Sequence, residues 1–213
     1  MKLNNDICRI LHGKKLLIFD FDGTIADTTP LHAQAFAEVL APYEITVDYP
    51  VIAGMKTRDA MIQLIGAVSA ASRLNLLNDQ QITALVAAKQ SRVRMLIKNQ
   101  LHPIPAMNSF LQWVRPRYQL AMYSSGSFGT VSLAMKKLGY VGWFDPLLCA
   151  EDVVHAKPDP EGFLKVLVMT GFVADDALVF EDSDAGIEAA QRAGIMTADV
   201  RIKPFNELQK IQT

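Results

Sequence analysis

Unbroken apolar runs alternate along the chain with stretches whose apolar residues recur every three or four positions. The run Lys15-Leu16-Leu17-Ile18-Phe19 reads as a strand buried on both faces. Further strands are predicted over 120–123, 146–150, 177–180 and 195–200. Helical spacing is found over 31–41, 57–65, 79–98, 131–138, 160–170 and 185–193, with Ile82, Leu85, Val86, Val93 and Leu96 along one side of the longest. Strands that alternate with helices predict an α/β fold with a parallel sheet and right-handed crossovers. An all-helical block over 27–98 interrupts the alternation just after the first strand. This predicts a core domain formed by 1–26 and 99–213, with 27–98 inserted as a helical cap beside the first loop, where a lid belongs.

Polar residues gather where the predicted strands end. The first strand runs into Asp20-Phe21-Asp22-Gly23-Thr24. Open α/β sheets place ligands at their carboxyl ends, and two acids one residue apart repel unless a cation or a proton transfer needs them. Taken alone, the pair also fits a turn, with Gly23 bending the chain. Three further loops weigh against that. Ser124-Ser125-Gly126-Ser127 precedes a helix that Ser127 is placed to cap, and free amides at a helix start favour an anion. Lys157-Pro158 offers an ammonium that can neutralise phosphate or fix a carboxylate. Glu181-Asp182-Ser183-Asp184 again discharges an apolar run into acids, with Asp184 placed either to act or to cap the next helix. Carboxylates from two strands can converge on a hard cation, and Mg²⁺ takes one or two such ligands, with waters and phosphate oxygens completing its shell.

Composition narrows the class. A net charge of −1 gives no basic field for nucleic acid or an anionic membrane surface. No stretch is long and apolar enough for a bilayer span, and the first fourteen residues lack a signal peptide's apolar core, so cytoplasmic residence is expected. Cys8 and Cys149 match no metal or redox spacing and read as a surface thiol and a buried apolar residue. The size is compatible with a monomer.

With these four elements in this order, the chain resembles the haloacid-dehalogenase-like phosphohydrolases that carry a small helical cap after the first motif. The resemblance implies a Rossmann-like core and an Mg²⁺-dependent phosphomonoester hydrolase acting on a small phosphorylated molecule through an aspartyl-phosphate. It makes Asp20 the nucleophile and Asp22 the acid/base. Ser125, the Gly126 amide and Lys157 become the groups that hold the transferring phosphate. Asp20, the Asp22 main-chain oxygen and Asp182 become the metal ligands, with Glu181 supporting them. Asp22 also separates this chain from the metal-free dehalogenases, which lack a second aspartate of this kind.

Within that family, Asp27-Thr28 with His32, Ala156-Lys157-Pro158 and the Glu181–Ile187 stretch resemble β-phosphoglucomutases and nearby phosphatases of the fructose-1-phosphate/6-phosphogluconate type. His32 and Lys89 match cap positions that face the substrate in those relatives. Where the mutases carry basic and amide residues to hold a second phosphate, this chain has Phe128 and Gly129, and the mutases' cap arginine falls on Thr57 beside Arg58. Hydrolysis of a sugar or polyol monophosphate is therefore expected over the alternative, a mutase. A module that binds a phosphometabolite without turnover is the non-enzymatic alternative, and the presence of Asp20, Asp22 and Asp182 argues against it.

Overall fold

The computed structural model describes residues 5–69 and 77–202. In chain order its strands are β1 (Leu16–Phe19), β2 (Gln119–Tyr123), β3 (Leu147–Leu148), β4 (Ala177–Glu181) and β5 (Met196–Asp199). Its α-helices are α1 (Asn5–Leu11), α2 (Thr29–Leu40), α3 (Tyr49–Ile52), α4 (Thr57–Ser69), α5 (Asp79–Gln100), α6 (Pro105–Val114), α7 (Phe128–Leu138), α8 (Glu161–Thr170) and α9 (Asp184–Arg192). All strand pairings are parallel, in the order β3-β2-β1-β4-β5. The central strand β1 is fully buried, which its unbroken apolar run requires.

Register fixes where the loops emerge. Phe19 at the end of β1 lies between Met122 of β2 and Phe180 of β4, so three strands release their chains at one level. The strand order reverses direction between β1 and β4, and such a switch point leaves a crevice at the carboxyl ends.

Strand alternation sends Leu17, Phe19, Leu120, Met122, Leu178 and Phe180 to one face, with Ile7, Leu11, Phe110, Leu111, Val131 and Met135 packed over them. Phe19 stacks on Phe180 with centroids 4.6 Å apart, and each such buried ring contributes about 1.5–3 kcal/mol. Leu16, Ile18, Ala121, Tyr123, Ala177 and Val179 face the other way, against Phe163, Val166, Ala189 and Ala190. A third cluster, built from Phe36, Leu40, Ile45, Ile52, Met61, Leu64 and Leu85, belongs wholly to the helical block. Helices α2 and α5 enter two clusters each: Leu31, Ala35, Val93, Leu96 and Ile97 pack in the main core, whereas Phe36, Leu40 and Leu85 pack in the third.

Some elements differ from the sequence prediction. The strand expected over 146–150 shrinks to Leu147–Leu148, because Pro146 has no N–H to give and the chain turns into a short 3₁₀ helix at Ala150–Asp152. Helix α7 starts earlier than predicted, at Phe128. Ser127 stands at its N-cap position but does not cap it; its hydroxyl donates to Thr130 Oγ1 at 3.0 Å, and Glu151 Oε2 accepts the Phe128 N–H instead. At α9 the cap is Ser183, whose Oγ accepts from the Gly186 N–H at 3.0 Å, so Asp184 is the first helical residue rather than the cap. Cys8 is exposed and Cys149 buried, as their surroundings in the sequence suggested.

Candidate active site

The carboxyl ends of β1, β2 and β4 and the helical block enclose a cavity of about 60 Å³. Asp20, Asp22, Ser125, Gly126, Glu181 and Asp182 line it from the sheet side, and His32, Phe36, Tyr49, Gly54, Thr57 and Lys89 from the other. Residues widely separated in sequence thus meet because parallel strands all point one way.

Lys157 lies beneath the floor. Its Nζ donates to Asp20 Oδ1 at 2.6 Å, to Glu181 Oε2 at 2.7 Å and to the Tyr123 carbonyl at 3.3 Å, with the Tyr123 and Phe163 rings 5.0 and 5.5 Å away. An ammonium has three protons, and all three are engaged. Of the two roles open to Lys157, the geometry shows carboxylate fixing. Burial works against its charge, but Asp20 and Glu181 outweigh burial and raise its pKa.

Both oxygens of Glu181 are engaged by protein donors. Its second oxygen, Oε1, accepts the Asp182 and Ser183 N–H groups at 3.1 and 3.0 Å and the Ser183 hydroxyl at 2.8 Å. Gly186 makes this arrangement possible, since a Cβ there would lie 2.1 Å from Glu181 Oε2. Glu181 is therefore a brace that orders the loop after β4.

Asp20, Glu181 and Asp182 bring carboxylate oxygens within 4.8 Å of one another. Burial, then Glu181, pushes the Asp182 carboxyl up to about 7; burial and Glu181 likewise raise Asp20, against the pull of Lys157. One ammonium cannot balance this much negative charge in a poorly solvated site. An all-oxygen donor set with excess negative charge fits Mg²⁺, and with Glu181 occupied by protein donors the carboxylates left to hold it are Asp20 and Asp182. Space beside Asp182 is kept by Gly23, at φ +85°, where a Cβ would lie 2.1 Å from Asp182 Oδ2.

Asp22 is held differently. Thr28 Oγ1 donates to its Oδ1 at 2.6 Å, and Ser124 Oγ points at its Oδ2 from 3.4 Å. Thr28 is the N-cap residue of α2 yet makes no side-chain cap: its backbone is helical rather than extended, Pro30 removes one N–H of the first turn, and its hydroxyl points to Asp22. One turn on, His32 Nε2 approaches the same Oδ1 at 3.4 Å without forming a hydrogen bond. His32 Nδ1 lies 2.9 Å from Lys89 Nζ, which also sits 4.4 Å from the Phe36 ring centroid. Burial, then Lys89, holds His32 down at about 4, so its ring is neutral; Lys89, lowered by burial to about 8, donates to Nδ1, and Nε2 carries the proton facing Asp22. The structure thus brings His32 and Lys89 onto the cavity wall as one buried pair.

Among the residues expected to hold phosphate, Ser125 presents a buried hydroxyl with no protein partner. The Gly126 N–H is already taken by Ser124 Oγ at 2.9 Å. The sequence reading missed Ser124, Thr24 and Thr28. Thr24 donates to Asp182 Oδ1 at 3.1 Å and joins the first acidic loop to the last.

Comparison with known proteins bears on this arrangement. The family profile described as haloacid dehalogenase-like hydrolase matches residues 17–200. The chain belongs to the haloacid dehalogenase-like hydrolases. This hydrolase is 33% identical over 190 residues to the fructose-1-phosphate phosphatase YqaB of Escherichia coli, covering 87% of the chain and 96% of that protein. It is 31% identical over 183 residues to a phosphorylated carbohydrates phosphatase of Thermotoga maritima, covering 84% and 81%. Its fold superimposes on the crystal structure of a β-phosphoglucomutase from Clostridium difficile with a TM-score of 0.79 at 20% identity, over 92% of this chain and 93% of that one. The family and the parallel α/β fold are those expected from the four motifs. Among the described residues, no helix of this hydrolase is long and apolar enough to cross a membrane.

Proposed function

We propose that the chain is an Mg²⁺-dependent phosphomonoesterase that hydrolyses a small sugar or polyol phosphate through an aspartyl-phosphate, with 27–98 acting as a cap over a core of 1–26 and 99–213. The observation that carries this reading is the pair of aspartates on one cavity, each held for a different task. Lys157 grips one oxygen of Asp20 and leaves the other to attack phosphorus, which replaces one difficult displacement by two easier ones. Asp22, steadied by Thr28, gives a proton to the departing alkoxide and then takes one from the water that attacks the phosphoryl group. The unpaired Ser125 hydroxyl holds a phosphoryl oxygen, and the His32–Lys89 pair orients the substrate. When bound by Asp20, the Asp22 main-chain oxygen and Asp182, Mg²⁺ supplies positive charge between nucleophile and phosphate. The relatives named as sugar-phosphate phosphatases support the substrate class.

Chelation is expected to abolish hydrolysis of an aryl phosphate, and Asp182→Asn to lower kcat/KM by on the order of 10²-fold, because such a cation contributes several kcal/mol of charge stabilisation. Protons compete with the cation for Asp182, so the Mg²⁺ concentration giving half activation rises as pH falls below about 7. Titrating Mg²⁺ at pH 6 and pH 8 checks this; equal half-activation points, or full activity in metal-free chelator, would overturn the metal assignment.

Hydrolysis is favoured over mutase chemistry because Phe128 is an exposed apolar residue where a second phosphate would lie and the cap cations are engaged elsewhere. Lys56 is bonded to main-chain carbonyls, Arg58 pairs with Asp79, and Lys89 is buried on His32 and Phe36. Incubation with β-glucose 1-phosphate and a trace of the bisphosphate should release inorganic phosphate without forming glucose 6-phosphate. Rapid isomer formation would reverse the reading and point to Arg94, whose Nη1 lies 3.0 Å from where a Gly129 Cβ would be, as the holder of the second phosphate.

A further inference from the structure

Lys56 reaches from the helical block to the core. Its Nζ donates to the main-chain oxygens of Val153 at 2.7 Å and Val154 at 3.3 Å. Those carbonyls begin the 153–157 loop that delivers Lys157 to Asp20. The same loop is gripped from the core side by Glu161, whose oxygens accept the Val154 N–H at 2.8 Å and the His155 N–H at 2.7 Å. Two side chains, one from each side of the cavity, thus clamp the backbone that carries the buried lysine.

The chain around Lys56 closes the site. Ala53, Gly54, Met55 and Thr57 line the inner cavity, and Gly54 packs so tightly on the α9 cap that a Cβ would lie 2.8 Å from Ser183 Oγ. The inner cavity's 60 Å³ holds a few waters, whereas a pocket that buries a drug-sized ligand encloses roughly 300 Å³ or more. An adjoining chamber of about 170 Å³ shares Thr57 and Ser125 with it and has Lys56 on its wall. With the segment closed, the inner cavity has room for the phosphate over Asp20 and the adjoining chamber for the rest of the ester, so the 53–57 segment has to lift for entry and close again for reaction. Lifting breaks the two Lys56 hydrogen bonds, and closing re-forms them.

We propose that Lys56 is a positioning residue: its two bonds latch the closed 53–57 segment onto the 153–157 loop and so tie cap closure to the placement of Lys157. The kinetic consequence rests on the phosphatase reading; the latch itself does not. Lys56→Met keeps the stem and removes the donors, whereas Lys56→Arg keeps donors in reach of the carbonyls. Because Lys56 also borders the outer chamber, its effect must be separated from a contact with the substrate. Acting through the loop, Lys56→Met lowers kcat equally for fructose 1-phosphate, glycerol phosphate and p-nitrophenyl phosphate, by about tenfold or more, the low end for losing one hydrogen bond from a charged donor, with little change in KM. Lys56→Arg restores most of the rate. In hydrogen exchange, Lys56→Met speeds the amides of 53–57 and 153–157 together and leaves β1 and β4 unchanged. A loss confined to fructose 1-phosphate with a raised KM, exchange that rises in only one segment, or no change in either measurement would overturn the proposal. Wild-type protein inactive on all three esters would defeat the phosphatase reading instead, and the exchange result alone would then decide the latch.

Discussion

Asp20→Asn is expected to lower steady-state turnover by on the order of 10⁴-fold or more while leaving the fold intact, as removal of a covalent nucleophile does in other enzymes. The amide is nearly isosteric, and its oxygen can still accept from Lys157 in place of Oδ1. What is lost is the anionic oxygen that forms the bond to phosphorus. Stability should move the other way. Asp20 is buried with Glu181 and Asp182 close by, and its pKa is raised, so a neutral side chain there relieves repulsion when no metal is present. A thermal melt in chelator is expected to show a Tm at or above wild type, beside a phosphate-release assay at background. Turnover near the wild-type rate would refute the covalent mechanism, and a large fall in Tm would refute the electrostatic account of the floor.

Lys157→Met should damage both activity and fold. The methionine fills the apolar space between Tyr123 and Phe163 but leaves Asp20 and Glu181 without their ammonium. Breaking a buried pair from one side costs about 3–5 kcal/mol, and in a protein of this length that lowers Tm by roughly 10 °C. The sign of the pH dependence follows from proton uptake. With the ammonium gone, the folded state binds protons at Asp20 more readily than the unfolded chain does, so the stability deficit shrinks as pH falls from 8 towards 5. Adding Asp20→Asn should recover part of the loss, because the two changes act on one contact. Calorimetry of the single and double variants across that pH range tests the argument. A deficit that stays constant across that range would show that Lys157 matters through packing alone, and one that grows on acidification would refute the electrostatic account.

The candidate site is legible in the sequence to the extent that it is local. Acids directly after an apolar run can be placed at a strand's end without knowing the fold, and in a parallel sheet Asp20 and Asp182 then meet. Lys157 and Ser125 were found in the same way. The hydroxyl residues that hold Asp22 are not legible in this way, because nothing in the local pattern marks Thr28 or Ser124, among the several hydroxyls at these strand and helix ends, as its partner. The His32–Lys89 contact joins residues 57 positions apart and depends on how α2 crosses α5, which no local pattern encodes. Helix α1 is absent from the prediction because it is only seven residues long. Helix α6 is absent although it is legible: Met107, Phe110, Leu111 and Val114 follow Pro105 at helical spacing.

One feature of the packing bears on how such proteins can be recombined. Because α2 and α5 each contribute to the main core and to the third cluster, a helical block borrowed from a relative and joined at 27 and 98 would bring foreign side chains to positions 31, 35, 93, 96 and 97. Such a chimera would alter folding together with substrate choice, and the two effects would be confounded. Crossovers inside the helices, between Ala35 and Phe36 and between Leu85 and Val93, exchange the third cluster and leave the main core in its native sequence.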